Sequence, residues 1–167
     1  MNKTIRLFTD SSVNPQSKIG FASYLKIEDL NIDLKILKNR VKTKKFENSS
    51  STKLELQTLL WALDEIFYEN KEIDFSIEVY TDCQNIISLS NREDRLKTNN
   101  YYSLNGKLIK NHDLYKEFFD KKERLNLTFI KVKGHKKKSL KDEIDDIFNL
   151  VDKASRNALR EYLNTHS

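Results

Sequence analysis

The chain is poor in the residues that cross-link or interrupt a fold. Its 167 residues include one cysteine, one proline and three glycines. A lone cysteine, Cys83, excludes an internal disulfide and points to a reducing, cytoplasmic setting. There is no internal repeat, no low-complexity tract and no linker, so residues 1–167 read as a single domain. No apolar run approaches the length of a transmembrane helix. The opening "MNKTIRLFTD" lacks the apolar core of a signal peptide, so no membrane partner is expected.

What is present is a hydrophobic fraction of 38%, enough for a sizeable core at this length, and a net charge of +5. A positive balance permits an anionic partner without proving one. Two lysine-dense runs carry much of it. "KNRVKTKK" (Lys38 to Lys45) reads as a solvated loop or the protected edge of a sheet. "KVKGHKKKSLK" (Lys131 to Lys141) also holds a glycine and a histidine.

Ile5 to Asp10 reads as a strand and Ile19 to Glu28 as a second. In "NIDLKILKNRV", Ile32, Leu34 and Ile36 alternate with polar residues, which predicts a third strand and an antiparallel meander. "SSSTKLELQTLLWALDEIFYEN" carries Leu56, Leu59, Leu60, Leu63, Ile66 and Phe67 at helical spacing behind a serine cap. Trp61 sits beside that stripe, as core or near-core. A strand over Phe75 to Thr81 and a short helix from Cys83 to Ser90 follow. Residues 91–110 are polar and basic, a helical piece and a loop with a tight turn at Asn105-Gly106. A helix capped by Asn111, the strand "LTFIKVK" and a final helix from Ile144 to Leu163 complete the order. Strands alternating with helices in the second half predict parallel pairing, and hence a mixed sheet with helices on both faces.

Two strands each deliver an aspartate where they stop. "LFTD" ends in Asp10 and "VYTD" in Asp82. If the strands are parallel neighbours, about 4.8 Å apart, the two carboxylates meet at the sheet edge where α/β folds bind ligands. Carboxylates that close repel unless a cation sits between them, and a hard cation such as Mg²⁺ suits oxygen ligands. Each also has an ordinary explanation. Asp82 can cap the helix that follows, and Glu55 closes a Ser/Thr-x-x-Glu capping box with Thr52. Asp152, beside the apolar stripe of the last helix, is harder to explain. Propensity and burial both disfavour it there, so it calls for a metal or an arginine. His135 lies just past the last strand, either as a surface residue or as a proton carrier at the same edge. Cys83 reads as a small buried residue, since neighbouring carboxylates raise its pKa.

The ordered set "FTDSS…NP", "STKLEL", "VYTDCQ", "IKNHDLY", "VKGH" and Asn149-x-x-Asp152 resembles ribonuclease H of type 1, from Ile5 to about Leu163. The resemblance implies an α/β ribonuclease H-like fold, a five-stranded mixed sheet of order 3-2-1-4-5 with helices on both faces. It implies hydrolysis of the RNA strand of an RNA–DNA hybrid by a monomer. It implies a metal-binding quartet of Asp10, Glu55, Asp82 and Asp152 holding two Mg²⁺, with Mn²⁺ as a substitute, and His135 assisting proton transfer or product release. By the same motifs Ser11, Asn14, Ser51, Thr52 and Gln84 would contact the hybrid, and Asn111 would help hold a phosphate of its DNA strand.

Several positions depart from that pattern. The residue after the first aspartate is usually glycine and is Ser11 here. The following turn is usually glycine-rich and has only Gly20. Serine and threonine replace the asparagines that usually precede the helix-opening glutamate. These departures spare the carboxylates and fall on the expected substrate contacts. Asp142, Asp145 and Asp146 are rivals to Asp152 as the fourth ligand. Residues 91–110 stand where some members carry a basic protrusion, but without tryptophan. The competing functions are a DNA-acting nuclease or strand-transfer enzyme on the same sheet, and a non-catalytic hybrid-binding domain.

Overall fold

A computed structural model describes residues 3–71, 74–133 and 142–166. The sheet is built outward from β1 (Lys3–Val13), which pairs antiparallel with β2 (Gly20–Ile27) and parallel with β4 (Phe75–Thr81). The edge strand β3 (Lys42–Phe46) pairs antiparallel with β2, and β5 (Asn126–Lys131) pairs parallel with β4. The order is β3-β2-β1-β4-β5, as the resemblance implied.

Both faces of β1 are covered, so its apolar residues run together rather than alternate. Ile5 and Leu7 point into one core, shared with Leu59, Leu63 and Ile66 of α2 (Ser51–Glu69) and Phe118 and Phe119 of α5 (His112–Arg124). Phe8 points into the other. It stacks on Tyr80 and packs with Ile147, Phe148 and Val151 of α6 (Glu143–Thr165). Because side chains alternate across a strand, Ser11 falls on the α2 face, while Asp10 and Ser12 fall on the α6 face. Gly20 is fixed by close approach. A Cβ there would lie 2.4 Å from Leu54 Cδ2 and 2.9 Å from the Ser12 carbonyl oxygen.

One expected element is wrong. The third strand expected around Ile32, Leu34 and Ile36 is instead a helix, α1 (Leu34–Arg40), capped by Asp33, whose side chain accepts from the Lys35 amide. Leu34 and Ile36 are 41% and 49% exposed, whereas Leu37 is fully buried in the α6-side core. The alternation there was coincidental: of Ile32, Leu34 and Ile36 only Ile32 packs against the core, partly buried, and Leu37 is the residue of the segment that is fully buried. The true third strand is the lysine run. Lys42 pairs with Glu65 and Glu69, and Lys44 lies over the Trp61 ring, so the edge is protected by charge. Phe67, expected on the buried stripe of α2, is 45% exposed, and Trp61 packs edge-on to Tyr24 beside the core.

After β4 the chain forms α3 (Gln84–Leu89), a single 3₁₀ turn and α4 (Glu93–Thr98). The α4 helix ends in a Schellman motif. Tyr101 N–H donates to Leu96 O and Asn100 N–H to Lys97 O, with Asn100 at φ 50°. Leu96 and Tyr101 both enter the α2-side core, which ties the basic segment down. Gly106, at φ 74°, closes the expected tight turn, its N–H donating to Ser103 O. Among the described residues no helix is long and apolar enough to cross a membrane.

Candidate active site

The parallel register pairs Phe8 with Tyr80, and two residues further along each strand stand Asp10 and Asp82. The expected end of the first strand at Asp10 is not observed, since β1 runs on to Val13 against β2, but its parallel pairing with β4 stops at Phe8, so Asp10 and Asp82, the residue just past β4, are neighbours at the C-terminal edge of that parallel pair. Glu55, one turn into α2, completes the group. Carboxylate oxygens of Asp10, Glu55 and Asp82 all lie within 4.8 Å of one another. Neither ordinary explanation holds. The cap of α2 is Ser50, accepting from Lys53 N–H, so Glu55 is not half of a capping box with Thr52. The N-cap position of α3 is Cys83 rather than Asp82.

Burial and mutual charge dominate the electrostatics. Asp10 is 5% exposed. Desolvation, then the charges of Glu55 and Asp82, push its carboxyl up to about 9. Glu55 is pushed up to about 7, again chiefly by burial, with the Ser11 hydroxyl opposing the rise. Three carboxylates so placed are stable only with protons or cations among them. The Glu55 side chain supplies an independent sign of which. Its Oε1 accepts from Ser11 Oγ at 2.8 Å, while its Oε2 is buried with no hydrogen-bond partner. A buried carboxylate oxygen without a donor is costly, and a cation satisfies it. An all-oxygen donor set of this kind suits Mg²⁺, Mn²⁺ or Ca²⁺. Desolvation also raises the half-buried Cys83 thiol, with Glu55 and Asp82 adding to it, so the thiol is no nucleophile.

Asp152 stands beside this group, not inside it. It lies within hydrogen-bonding reach of Asp10, a contact that adds to the rise of the Asp10 carboxyl, and its Oδ2 accepts from Arg156 Nη2 at 2.6 Å. The rival aspartates are engaged in the helix cap or exposed. Asp142 and Asp145 form a reciprocal capping box that starts α6, and Asp146 is exposed.

Three serines that sequence reasoning did not single out as functional dock α6. Ser23 Oγ donates to the Val151 carbonyl at 2.6 Å, Ser12 Oγ and Ser155 Oγ lie 3.3 Å apart, and Ser155 Oγ donates to the Asp152 carbonyl. They hold the helix on either side of Asp152. A serine on the apolar stripe of α6, and serines at the end of an otherwise apolar strand pair, were the available signals.

The expected substrate residues are spread around the rim. Asn14 organises the β1–β2 turn, its Oδ1 accepting from the Gln16 and Ser17 amides and the Ser17 hydroxyl. Ser51 and Thr52 are exposed in the first turn of α2, and Thr52 lines a small cleft with Cys83, Asn85, Arg92 and Tyr115. Gln84 opens α3, its Oε1 accepting from Lys131 Nζ at 2.6 Å. Asn111 occupies the N-cap position of α5 at φ 66° and makes no side-chain capping bond. His135 lies outside the described residues.

Residues 2–156 match the family model described as RNase H. The ribonuclease H of Clostridium botulinum is 29% identical over 108 residues, 64% of this chain and 69% of that protein. The ribonuclease H of Caldicellulosiruptor saccharolyticus is 28% identical over 117 residues, 69% of this chain and 72% of that protein. Among solved structures, LC9-RNase H1, described as a type 1 RNase H with the type 2 active-site motif, superposes with a TM-score of 0.69 at 14% identity, covering 95% of this chain and 72% of that one. A foamy viral protease-reverse transcriptase bound to double-stranded DNA gives 0.61 at 10% identity, covering 91% and 92%. Those two likenesses concern the fold alone. With a match along nearly the whole chain and an acidic cluster, anchored by the buried Asp10, at the C-terminal edge of the expected sheet, the chain belongs to the ribonuclease H family.

Proposed function

We propose that this ribonuclease H hydrolyses the RNA strand of RNA–DNA hybrids at the Asp10, Glu55 and Asp82 cluster, with Asp152 as the fourth carboxylate and two Mg²⁺ as its ions. The observation that carries the reading is the cluster itself: three carboxylates within 4.8 Å, one of them with a buried oxygen that nothing in the described chain satisfies. When bound, two divalent cations supply a nucleophilic water and stabilisation of the leaving 3′-oxygen.

The chain's own groups set that chemistry up. Asp10, with oxygens of Glu55 and Asp82 within 4.8 Å and Asp152 in hydrogen-bonding reach, would hold the ions at the centre of the set. Glu55 and Asp82 stand to its sides, and Asp152 reaches it from α6, steered by Arg156 and the serine contacts of that helix. Asp152 is preferred over its rivals because Asp142 and Asp145 are committed to the helix cap. Ser51, Thr52, Gln84, Asn14 and Asn111 offer donors along the rim for the backbone and minor groove, where the 2′-hydroxyl marks the RNA strand. His135 is assigned proton transfer or product release by resemblance. All four carboxylates come from one chain, which supports action as a monomer and a single domain. The lone thiol supports a cytoplasmic setting.

The test offers the purified protein RNA–DNA hybrid, double-stranded DNA and double-stranded RNA, with Mg²⁺ and with EDTA, beside Asp10→Asn. Cleavage of the hybrid alone, abolished by EDTA and by the substitution, is expected. An intact hybrid, or an Asp10→Asn variant that cuts like wild type, overturns the reading.

A further inference from the structure

The Ser11 hydroxyl does not face the substrate side of the site as a free donor; it is spent on Glu55. We infer that Ser11 is a positioning residue, one that holds Glu55 as a single-oxygen metal ligand and so biases the site toward a small octahedral cation over Ca²⁺. This rests on the metal-site reading above and deepens it.

The argument begins with the two oxygens of Glu55. Oε1 accepts from Ser11 Oγ at 2.8 Å, and Oε2 is buried without a partner. A hydrogen bond from a neutral hydroxyl to a carboxylate is charge-assisted, so it fixes the rotation of the group as well as adding attraction. One oxygen therefore belongs to the protein and the other is left for a cation. Ser11 can do this because of where it lies. It is in the extended part of β1, paired with Ala22, on the face that meets α2. It is not among the residues at positive φ, so the backbone does not require the glycine that the family usually carries here.

The consequence follows from the coordination chemistry of the candidate ions. Mg²⁺ demands near-ideal octahedral geometry and takes few carboxylates, whereas Ca²⁺ accepts more oxygens and often grips a carboxylate by both. While Ser11 takes one lone-pair direction of Oε1 and fixes the rotation of the group, the two-oxygen grip is disfavoured. Without the hydroxyl, Glu55 is free to turn and offer both oxygens, and the larger ion gains.

Calorimetric titration of the substrate-free protein with MgCl₂, and separately with CaCl₂, tests this without any turnover. The ratio of Ca²⁺ affinity to Mg²⁺ affinity is expected to rise on the order of 5- to 10-fold in Ser11→Ala, as for the net loss of one ordinary hydrogen bond. Ser11→Thr, which keeps the hydroxyl on a residue suited to a strand, should hold the wild-type ratio. If Ser11→Ala fails to fold, Ser11→Gly replaces it. An alanine or glycine variant with the wild-type ratio overturns the inference, as does a threonine variant that behaves like alanine. Asp10→Asn separates the two levels. Mg²⁺ binding that is lost in Asp10→Asn, with a Ca²⁺-to-Mg²⁺ ratio that is unmoved in Ser11→Ala, defeats only the role of Ser11, whereas Mg²⁺ binding retained in Asp10→Asn defeats the metal site itself.

Discussion

Asp10 is a carboxylic acid placed where its charge has almost no water. With burial and two neighbouring carboxylates raising it to about 9, and Glu55 raised to about 7, the folded metal-free chain keeps protons that the unfolded chain has released. The stability this provides is complete below the ordinary aspartate value of 3.8. It is lost as pH rises, through about 7 for Glu55 and about 9 for Asp10. In EDTA, the melting temperature should therefore fall between pH 5 and pH 9. Asp10→Asn removes the buried acid and keeps its shape. It should flatten that slope and melt higher than wild type at pH 8, by at least the 2–4 °C that about 1 kcal/mol gives at this size. Equal slopes in a calorimetric pH series would show that the cluster is not under electrostatic strain. The aspartates themselves were legible, because a strand that ends in Asp twice, in an order known from a family, is a pattern in one dimension. The function of Ser11 was not. Which way a hydroxyl turns is decided by the helix that packs over it, and Glu55 is 44 residues away along the chain.

At the scale of elements, α2 and α6 were readable because their apolar spacing is long enough to select one period. Residues 31–41 were not. Three apolar residues at alternate positions fit a strand, and nothing local reveals that Leu34 and Ile36 face solvent while Leu37 fills the space beside Phe8 and Phe148. Tertiary packing overrode the local pattern. The two assignments predict opposite mutants. With α1 helical, Leu37→Ala empties a fully buried site and should destabilise by about 2–5 kcal/mol in urea unfolding. Ile36→Ala, half exposed, should stay within about 0.5 kcal/mol of wild type. A strand with Ile32, Leu34 and Ile36 inward would reverse that order. The α6 helix teaches the complementary lesson. Its stripe was visible, but the contacts that set its height on the sheet are a serine-to-carbonyl bond and a serine pair, which periodicity does not register.

For the whole molecule, the layout explains how a chain of net charge +5 can present carboxylates to a polyanion. The acids gather at one edge of the sheet, where parallel strands stop, and basic residues border them. Lys131 ends β5 opposite Thr81, next to Asp82 in the register, and its Nζ rests on Gln84. A phosphate backbone held by such a rim releases counterions, so affinity should fall with salt as a power of its concentration. With Asp10→Asn used to bind hybrid without cutting it, three to five cationic contacts would give a log–log slope of roughly −3 to −5. Lys131→Met should weaken binding and make that slope shallower by about one, with little change in preference among hybrid sequences. The substitution also frees Gln84, and Gln84→Ala separates the two effects: it can lower affinity, but it removes no cation and should leave the slope alone. If Lys131→Met keeps the wild-type slope in fluorescence anisotropy over a KCl series, Lys131 serves only to hold Gln84, and the cations that meet the hybrid lie elsewhere on the rim.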